Sequence, residues 1–510
     1  MKSTLKHIEL FAGCGGLTLG LERAGFDLLF ANEVSPMASA TFAHNILNLD
    51  ISKPHANIKW IHSRYGRNHI EKRTREDLLT HGKLEQSEIA FKSDLASINN
   101  TLLIGDLRLM NDALTKSEIK DPYNGELDLI SGGPPCQSFS LAGKREKENY
   151  KNRLPLDFAE ICQLLNPKLV LLENVKGITS AFSEDNNKYY AWFEVAKTFT
   201  SKGYVPVCMM VNSKYFDIPQ NRPRYIMIAI RFDLFDILHA KYPKHPVLTD
   251  LKKYLTKAKR DINDISVTDL KYYDAIKDFE NFDGFILPKL VSHEANSWIS
   301  VEDAIDDLSS SRKPSKYVAE LNALFQSSRH SLQNIAKNHN YRSHSNTTKS
   351  RFLFYQIISI SGDLEKEILK CKTEGKPIKK SISSQLFELL PEKQKLFNSQ
   401  KELHLFLNSI TLTRKHSQRA LIASKPAPAQ LTIPDDICHY SLAQNRVLSV
   451  REMARIQSFP DWFEFKAKET TGGKNRRYEV PQYTQVGNAV PPKLGYQLGL
   501  HLKSLLDEMR

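Results

Sequence analysis

A regular alternation over the first 230 residues constrains the fold of this chain more than anything else in it. Short apolar runs, "HIELFA", "DLLFANE", "TLLIGD", "LDLISGG" and "LVLLENV", are mostly followed by polar stretches of helical length, such as "LTLGLERAGF" after the first. Strand and helix in alternation build right-handed crossover units, hence a mostly parallel sheet. "YVPVCMMVN" and "RYIMIAIRF", joined by the polar "SKYFDIPQNRP", read as an antiparallel hairpin closing one edge of that sheet. Residues 51–100 carry no clear strand and read as an inserted helical excursion. Helical order returns in "RVLSVREMARIQSFPDWF", and "VPPKLGYQLGLHLKSLL" reads as a long closing helix with proline at its start. That helix has only the first domain to pack against.

Between about 233 and 446 the alternation is lost, and charge distinguishes what pattern does not. Asp233 to Leu308 holds 10 Lys/Arg against 15 Asp/Glu, whereas Ser309 to Arg446 holds 22 against 10, with six histidines. Nearly all of the net charge of +13 therefore lies in one late segment. A positive face of this kind suits a polyanion; a solvated lysine-rich surface is the plainer reading. No apolar run approaches the ~20 residues a bilayer requires. The start, "MKSTLKHIEL", lacks the pattern of a secretory signal. Six scattered cysteines without a CxxC pair argue against a disulfide framework and a zinc site, so a cytosolic protein without a metal is expected.

The turn "FAGCGG" follows the first strand. Gly13, Gly15 and Gly16 allow backbone to approach a ligand closely there. The pattern is not GxGxxG, and no lysine follows that could hold a phosphate. Glu33 ends the second strand, where a carboxylate can accept both hydroxyls of a ribose, and Asp106 ends the third, where it could meet an adenine amino group. A glycine turn with two strand-end acids and no phosphate machinery fits a nucleoside-bearing cofactor such as S-adenosylmethionine. A purely structural turn has similar composition.

Cys136 stands in the stiff turn "GGPPCQSFS" after the fourth strand, and "ENV" (Glu173, Asn174, Val175) ends the fifth. Ligands of open α/β sheets bind beyond the carboxyl ends of adjacent strands, so the two should face one pocket. "QNRPR" adds Arg222 and Arg224 at alternate positions, on one face if extended. Thiolate, carboxyl and guanidinium together can activate an electron-poor ring. Taken singly, the cysteine could pack as a small hydrophobe and the charged pair could be structural.

With these motifs the chain resembles the DNA cytosine-5 methyltransferases. "FAGCGG", "GGPPCQSFS", "ENV", "QNRPR", "REMARIQSFPD" and "QVGNAVPP" occur in that family's order, over the first 231 residues and the last 65 or so. The resemblance implies a Rossmann-like, S-adenosylmethionine-dependent α/β domain with a mostly parallel sheet, plus a smaller mixed target-recognition domain. The expected division is 1–231 for the first part of the catalytic domain, 232–446 for target recognition, basic from about 309, and 447–510 returning to the catalytic domain.

By the same resemblance, Cys136 would attack C6 of a flipped-out cytosine, Glu173 would hold N3 and the amino group, and Arg224 would contact O2 and support Glu173; Arg222 is counted with these as a catalytic candidate. Phe11, Gly13, Gly15, Gly16, Glu33, Val34, Asp106, Leu107, Pro135 and Leu156 would line the cofactor site, with Asn488 and Ala489 closing it. Arg451 and Arg455 would brace the target domain. The stretch after Cys136 resembles a mobile catalytic loop in which Gly143 hinges and Lys144, Arg145 and Lys147 meet phosphates. Where some relatives place a serine before that glycine, this chain has Ala142. Arg342, His344, Arg351 and Arg414 are candidates for DNA contact, with plain surface charge as the alternative for each. "AQLTI" departs from the usual boundary signal, which Thr432-Ile433 would replace. The expected partner is double-stranded DNA, with a cognate restriction endonuclease as functional counterpart to a monomeric enzyme. The rival readings are a tRNA methyltransferase and an inactive binding scaffold; the long basic segment favours DNA.

Overall fold

The computed structural model describes residues 4–77, 87–95, 97–135, 153–184, 187–292, 294, 297–309, 312–326, 336–390, 396–413 and 418–510. Cys136, Lys144, Arg145, Lys147 and Arg414 lie outside the described residues.

A nine-stranded sheet forms the centre. In chain order its strands are β1 (Leu5–Leu10), β2 (Phe26–Glu33), β3 (Ile58–Trp60), β4 (Thr101–Ile104), β5 (Leu129–Gly132), β6 (Leu169–Val175), β7 (Tyr204–Asn212), β8 (Pro223–Arg231) and β9 (Tyr272–Asp274). They lie side by side in the order β9-β7-β8-β6-β5-β1-β2-β4-β3. β8 runs antiparallel to β6 and β7, and the remaining neighbours are parallel. The chain leaves β1 toward β2 and β4, then returns to β5 on the other flank. The carboxyl ends of β1 and β5 therefore mark a topological switch point, where a ligand can enter. Helices α1 (Gly16–Ala24), α2 (Leu107–Lys116), α3 (Leu154–Leu165) and α4 (Ala191–Ser201) follow strands β1, β4, β5 and β6 in sequence.

Two expectations are corrected here. Residues 51–100 are not wholly helical: β3 adds a parallel strand beside β4, with Trp60 opposite Ile104. Only three residues long, it leaves too short an apolar run to show in the sequence. Nor does the β7-β8 hairpin close the sheet, because β9 pairs with β7 and forms the edge. Packing likewise continues past residue 231. Helices α5 (Phe232–Lys241) and α6 (Pro246–Arg260) bury Phe235, Leu238, Leu248, Leu251 and Leu255 in the same core as β7 and β8.

A separate core lies further along the chain. Beyond α7 (Val301–Ser309), helices α8 (Asn346–Ser359), α9 (Leu364–Thr373), α10 (Lys380–Leu389) and α11 (Gln400–Ser409) contribute to it Phe354, Ile357, Ile368, Leu386, Leu403 and Leu407. Short strands at Arg419–Ala420 and Ile437–Cys438 pair beside them. The chain then returns through α12 (Val450–Ile456), α13 (Gln482–Asn488) and α14 (Pro492–Glu508). α14 packs closely on α1: a Cβ at Gly20 would lie 2.4 Å from the Pro492 oxygen and 2.5 Å from the Tyr496 nitrogen. Among the described residues no helix is long and apolar enough to cross a membrane.

Candidate active site

The turn after β1 is built by backbone that only certain residues adopt readily. Phe11, Gly13 and Gly15 have φ of 56°, 57° and 93°, which reverses the chain between β1 and α1. Phe11 sets its ring edge-on to Phe158 of α3, 6.3 Å away. Around the place of a Cβ on Gly13 no described residue lies within 4 Å, so among the described residues one side of the turn is open. Gly16 is the opposite case: a Cβ there would lie 2.3 Å from the Val490 oxygen. Gly16→Ala should therefore force the C-terminal segment away and cost roughly 1–3 kcal/mol. A lowered melting temperature is the expected result, and an unchanged melting curve would contradict the close approach.

Glu33, buried at the end of β2, ties this turn down. One carboxylate oxygen accepts the Gly13 N–H at 2.9 Å and the other the Ser35 N–H at 2.7 Å. Burial pushes its carboxyl above the ordinary range, against the pull of those backbone donors. Val34 follows, half-buried against neighbouring apolar side chains. Asp106 caps α2 by accepting the Arg108 N–H at 2.9 Å, and Leu107 beside it is buried. The Asp106 carboxylate is also gripped by the Arg108 guanidinium. Burial opposes its ionisation, yet Arg108 outweighs that and holds the carboxyl below its usual value.

The second half of the site stands at the ends of β5, β6 and β8. Arg224 Nε lies 2.7 Å from Glu173 Oε1, and both side chains are largely buried. Antiparallel register explains the pair, since Arg224 lies opposite Val175 and Ile226 opposite Glu173. A Cβ on Gly133 would lie 3.1 Å from Glu173 Oε2, so the carboxylate faces the end of β5 across a glycine. Asn174 donates from Nδ2 to the Pro134 oxygen at 3.0 Å and accepts the Val175 N–H at 2.8 Å. It thus fixes the turn that leads through the exposed Pro135 toward Cys136.

Arg222 and Arg224 do not share a partner. Arg222 lies just before β8, buried, and donates to the oxygens of Gly487 (2.8 Å), Ala489 (3.3 Å) and Gln430 (3.4 Å). Gln220 nearby donates to Ile456 O and Gln457 Oε1. This polar knot draws the end of the basic segment and the α13 region onto the sheet. α13 ends at the exposed Asn488, and Ala489 follows, half-buried. Leu156 sits half-buried in the first turn of α3.

Arg451 is wholly buried and donates to the oxygens of Lys337 (2.7 Å), Pro460 (2.9 Å) and Phe463. Arg455 pairs with Asp307 at 2.5 Å and Asp461 at 2.7 Å, binding α12 to α7. Neither stands at the strand ends. Of the basic segment's candidates, Arg342 pairs with Asp435 at 3.0 Å. His344 accepts the Val447 N–H at 3.4 Å with its ring edge-on to Phe352, and Arg351 donates to Thr348 at 3.4 Å. Each is engaged within the protein. Asn174, named in "ENV", and Gln220, inside "QNRPR", make these contacts although the sequence assigns neither a role, and Arg108 lies in no quoted motif. A polar residue beside a functional acid was the available signal for the first.

The family model described as C-5 cytosine-specific DNA methylase matches residues 5–82 and 96–504. The chain is 25% identical over 493 residues to the type II methyltransferase M.DdeI of Desulfomicrobium norvegicum, covering 96% of this chain and 86% of that protein. It is 25% identical over 498 residues to M.XorII of Xanthomonas oryzae pv. oryzae, covering 96% and 83%. Over 507 residues it is 24% identical to M.FnuDI of Fusobacterium nucleatum, covering 99% and 96%.

Proposed function

The chain belongs to the C-5 cytosine-specific DNA methylase family and is a DNA (cytosine-5-)-methyltransferase, and we propose that it methylates a flipped-out cytosine within a short double-stranded DNA sequence. The observation that carries this reading is the Glu173–Arg224 pair set against the Gly133–Pro135 turn.

The residues at the ends of β1, β2 and β4 fit S-adenosyl-L-methionine. The space left over Gly13 among the described residues, the Glu33 carboxylate behind it and the exposed Asn488 suit a nucleoside without phosphates. When bound, that cofactor supplies an electrophilic methyl group. Glu33 would hold the ribose, Asp106 the purine edge, and Phe11, Val34, Leu107, Leu156 and Pro135 would exclude water around it.

A cytosine stacked in a duplex cannot be reached at C5 and C6 from both faces, so the base leaves the helix. The Cys136 thiolate attacks C6, making a sulfur–carbon bond and pushing electrons toward C5. Glu173 holds N3 and the exocyclic amino group, and Arg224 draws electrons at O2 while keeping Glu173 in place. C5 would then take the methyl group as its bond to the cofactor's sulfonium sulfur breaks, leaving S-adenosyl-L-homocysteine, and passage of the C5 proton to a base with departure of the Cys136 sulfur would restore the ring. Arg222 acts as a positioning residue, through the backbone of Ala489 and Gly487.

The helical unit with its own core, within the basic segment, would read the DNA sequence. Its packing suggests that target recognition begins beyond about residue 290, since helices α5 and α6 belong with the sheet. The relatives carry type II methyltransferase names, which favours a role in protecting host DNA from a cognate endonuclease; a monomer in the cytosol is the form in which the chain would act.

Methyl transfer from labelled S-adenosyl-L-methionine to plasmid DNA, followed by bisulfite sequencing, tests the proposal. One recurring short motif should be modified, and Cys136→Ala should abolish transfer without changing the melting curve. Label in tRNA alone would overturn the substrate, and transfer by Cys136→Ala would overturn the covalent step.

A further inference from the structure

The segment 51–100 brings a side chain to the site that the strand pattern did not reveal. β3 runs parallel to β4 with Trp60 opposite Ile104, and the Ile61 N–H continues the ladder by donating to the Ile104 oxygen at 2.8 Å. Carrying that register two residues further sets His62 beside Asp106. Gly105 has φ +148°, and a Cβ there would lie 2.9 Å from Ile61 Cβ and 3.0 Å from His62 Nδ1. The glycine thus allows the imidazole to lie directly against the strand end.

His62 is 3% exposed, and its Nδ1 has no hydrogen-bond partner among the described residues. A buried imidazole nitrogen without a partner is costly to maintain, and a polar ligand edge brought beside it would lower that cost. The ring lies within electrostatic reach of Asp106 and Arg108. Burial lowers its pKa, which favours a neutral ring with one donor and one acceptor. Arg108 already occupies much of the Asp106 carboxylate, leaving that acid reduced capacity to receive an amino group alone.

We propose that His62 is a cofactor-positioning residue: Asp106 accepts from the exocyclic amino group of the cofactor's purine, and the His62 imidazole N–H donates to the adjacent ring nitrogen. The proposal rests on the reading of the strand-end pocket as the S-adenosyl-L-methionine site. It gives the segment 51–100 a part in selecting adenine over other bases.

The test is binding rather than turnover. Calorimetry compares S-adenosyl-L-homocysteine with S-inosyl-L-homocysteine, in which a carbonyl replaces the amino group. The full chain should favour the adenine ligand, and His62→Phe should weaken that ligand about tenfold while removing most of the preference. His62→Gln, which keeps a donor and an acceptor, should restore much of it. In the unaltered protein, the imidazole 15N resonances of His62 should move when S-adenosyl-L-homocysteine is added, a readout that needs no variant to fold. Unmoved resonances, or unchanged affinities and preference in His62→Phe, would overturn the proposal. Asp106→Asn separates the two levels: if it alone weakens binding, His62 is uninvolved and the pocket stands. If neither it nor Glu33→Gln weakens binding, the pocket assignment itself fails.

Discussion

Glu173→Ala should lower methyl transfer by about a thousandfold, because it removes both the hold on the base and the partner of Arg224. The effect on stability has a separate cause. The Glu173 and Arg224 side chains are only 13% and 10% exposed and meet at 2.7 Å. Removing one partner leaves a buried guanidinium uncompensated, at a cost of about 3–5 kcal/mol. The double variant Glu173→Ala/Arg224→Ala should recover part of that stability, since no unpaired charge remains, but none of the activity. Glu173→Gln keeps the volume and an acceptor for Arg224 but not the counter-charge, so it should destabilise less than Glu173→Ala while still losing most turnover. Urea melts and single-turnover rates on these proteins, with Arg224→Ala completing the cycle, decide the matter. Turnover within tenfold of the parent in Glu173→Ala would remove Glu173 from the chemistry, and additive stability losses would mean the ion pair contributes nothing.

Arg222→Met should destabilise the protein by roughly 3 kcal/mol. Three carbonyl oxygens, of Gln430, Gly487 and Ala489, would lose their donor, each worth about 1–3 kcal/mol when buried, partly offset by no longer burying a cation. These carbonyls belong to the end of the basic segment and to the stretch flanking Asn488. The variant should therefore weaken DNA binding and S-adenosyl-L-homocysteine binding together, where a local defect would weaken only one. Denaturant melts and two binding titrations check this. Loss of turnover with stability and both affinities intact would instead place Arg222 at the reacting base.

The strand ends were legible because buried parallel strands read as unbroken apolar runs, and turn residues mark where they stop. "LVLLENV" shows both the strand and the acid that leaves it, and antiparallel register then explains why Arg224 reaches Glu173. Three-residue strands carry no such signal, which is why β3 and β9 escaped notice. Arg451 and Arg455 were identified as braces, but their partners Lys337, Pro460, Phe463 and Asp307 could not have been read from spacing. Arg342, His344 and Arg351 illustrate the converse. Charge singled them out, yet what each touches depends on packing.

By itself, then, the sequence determined the parallel α/β architecture, the acids and glycines at the strand ends, and the order of motifs that places the chain in its family. These depend on local periodicity and on residue chemistry, both of which act over a few neighbours. The tertiary structure alone decided that Arg222 serves the backbone of Gly487, 265 positions away, while Arg224 serves Glu173. It alone decided that Gly16 must make room for Val490, and that His62 comes to lie beside Asp106. Such contacts join segments distant along the chain, and only the packing of those segments determines which polar groups meet.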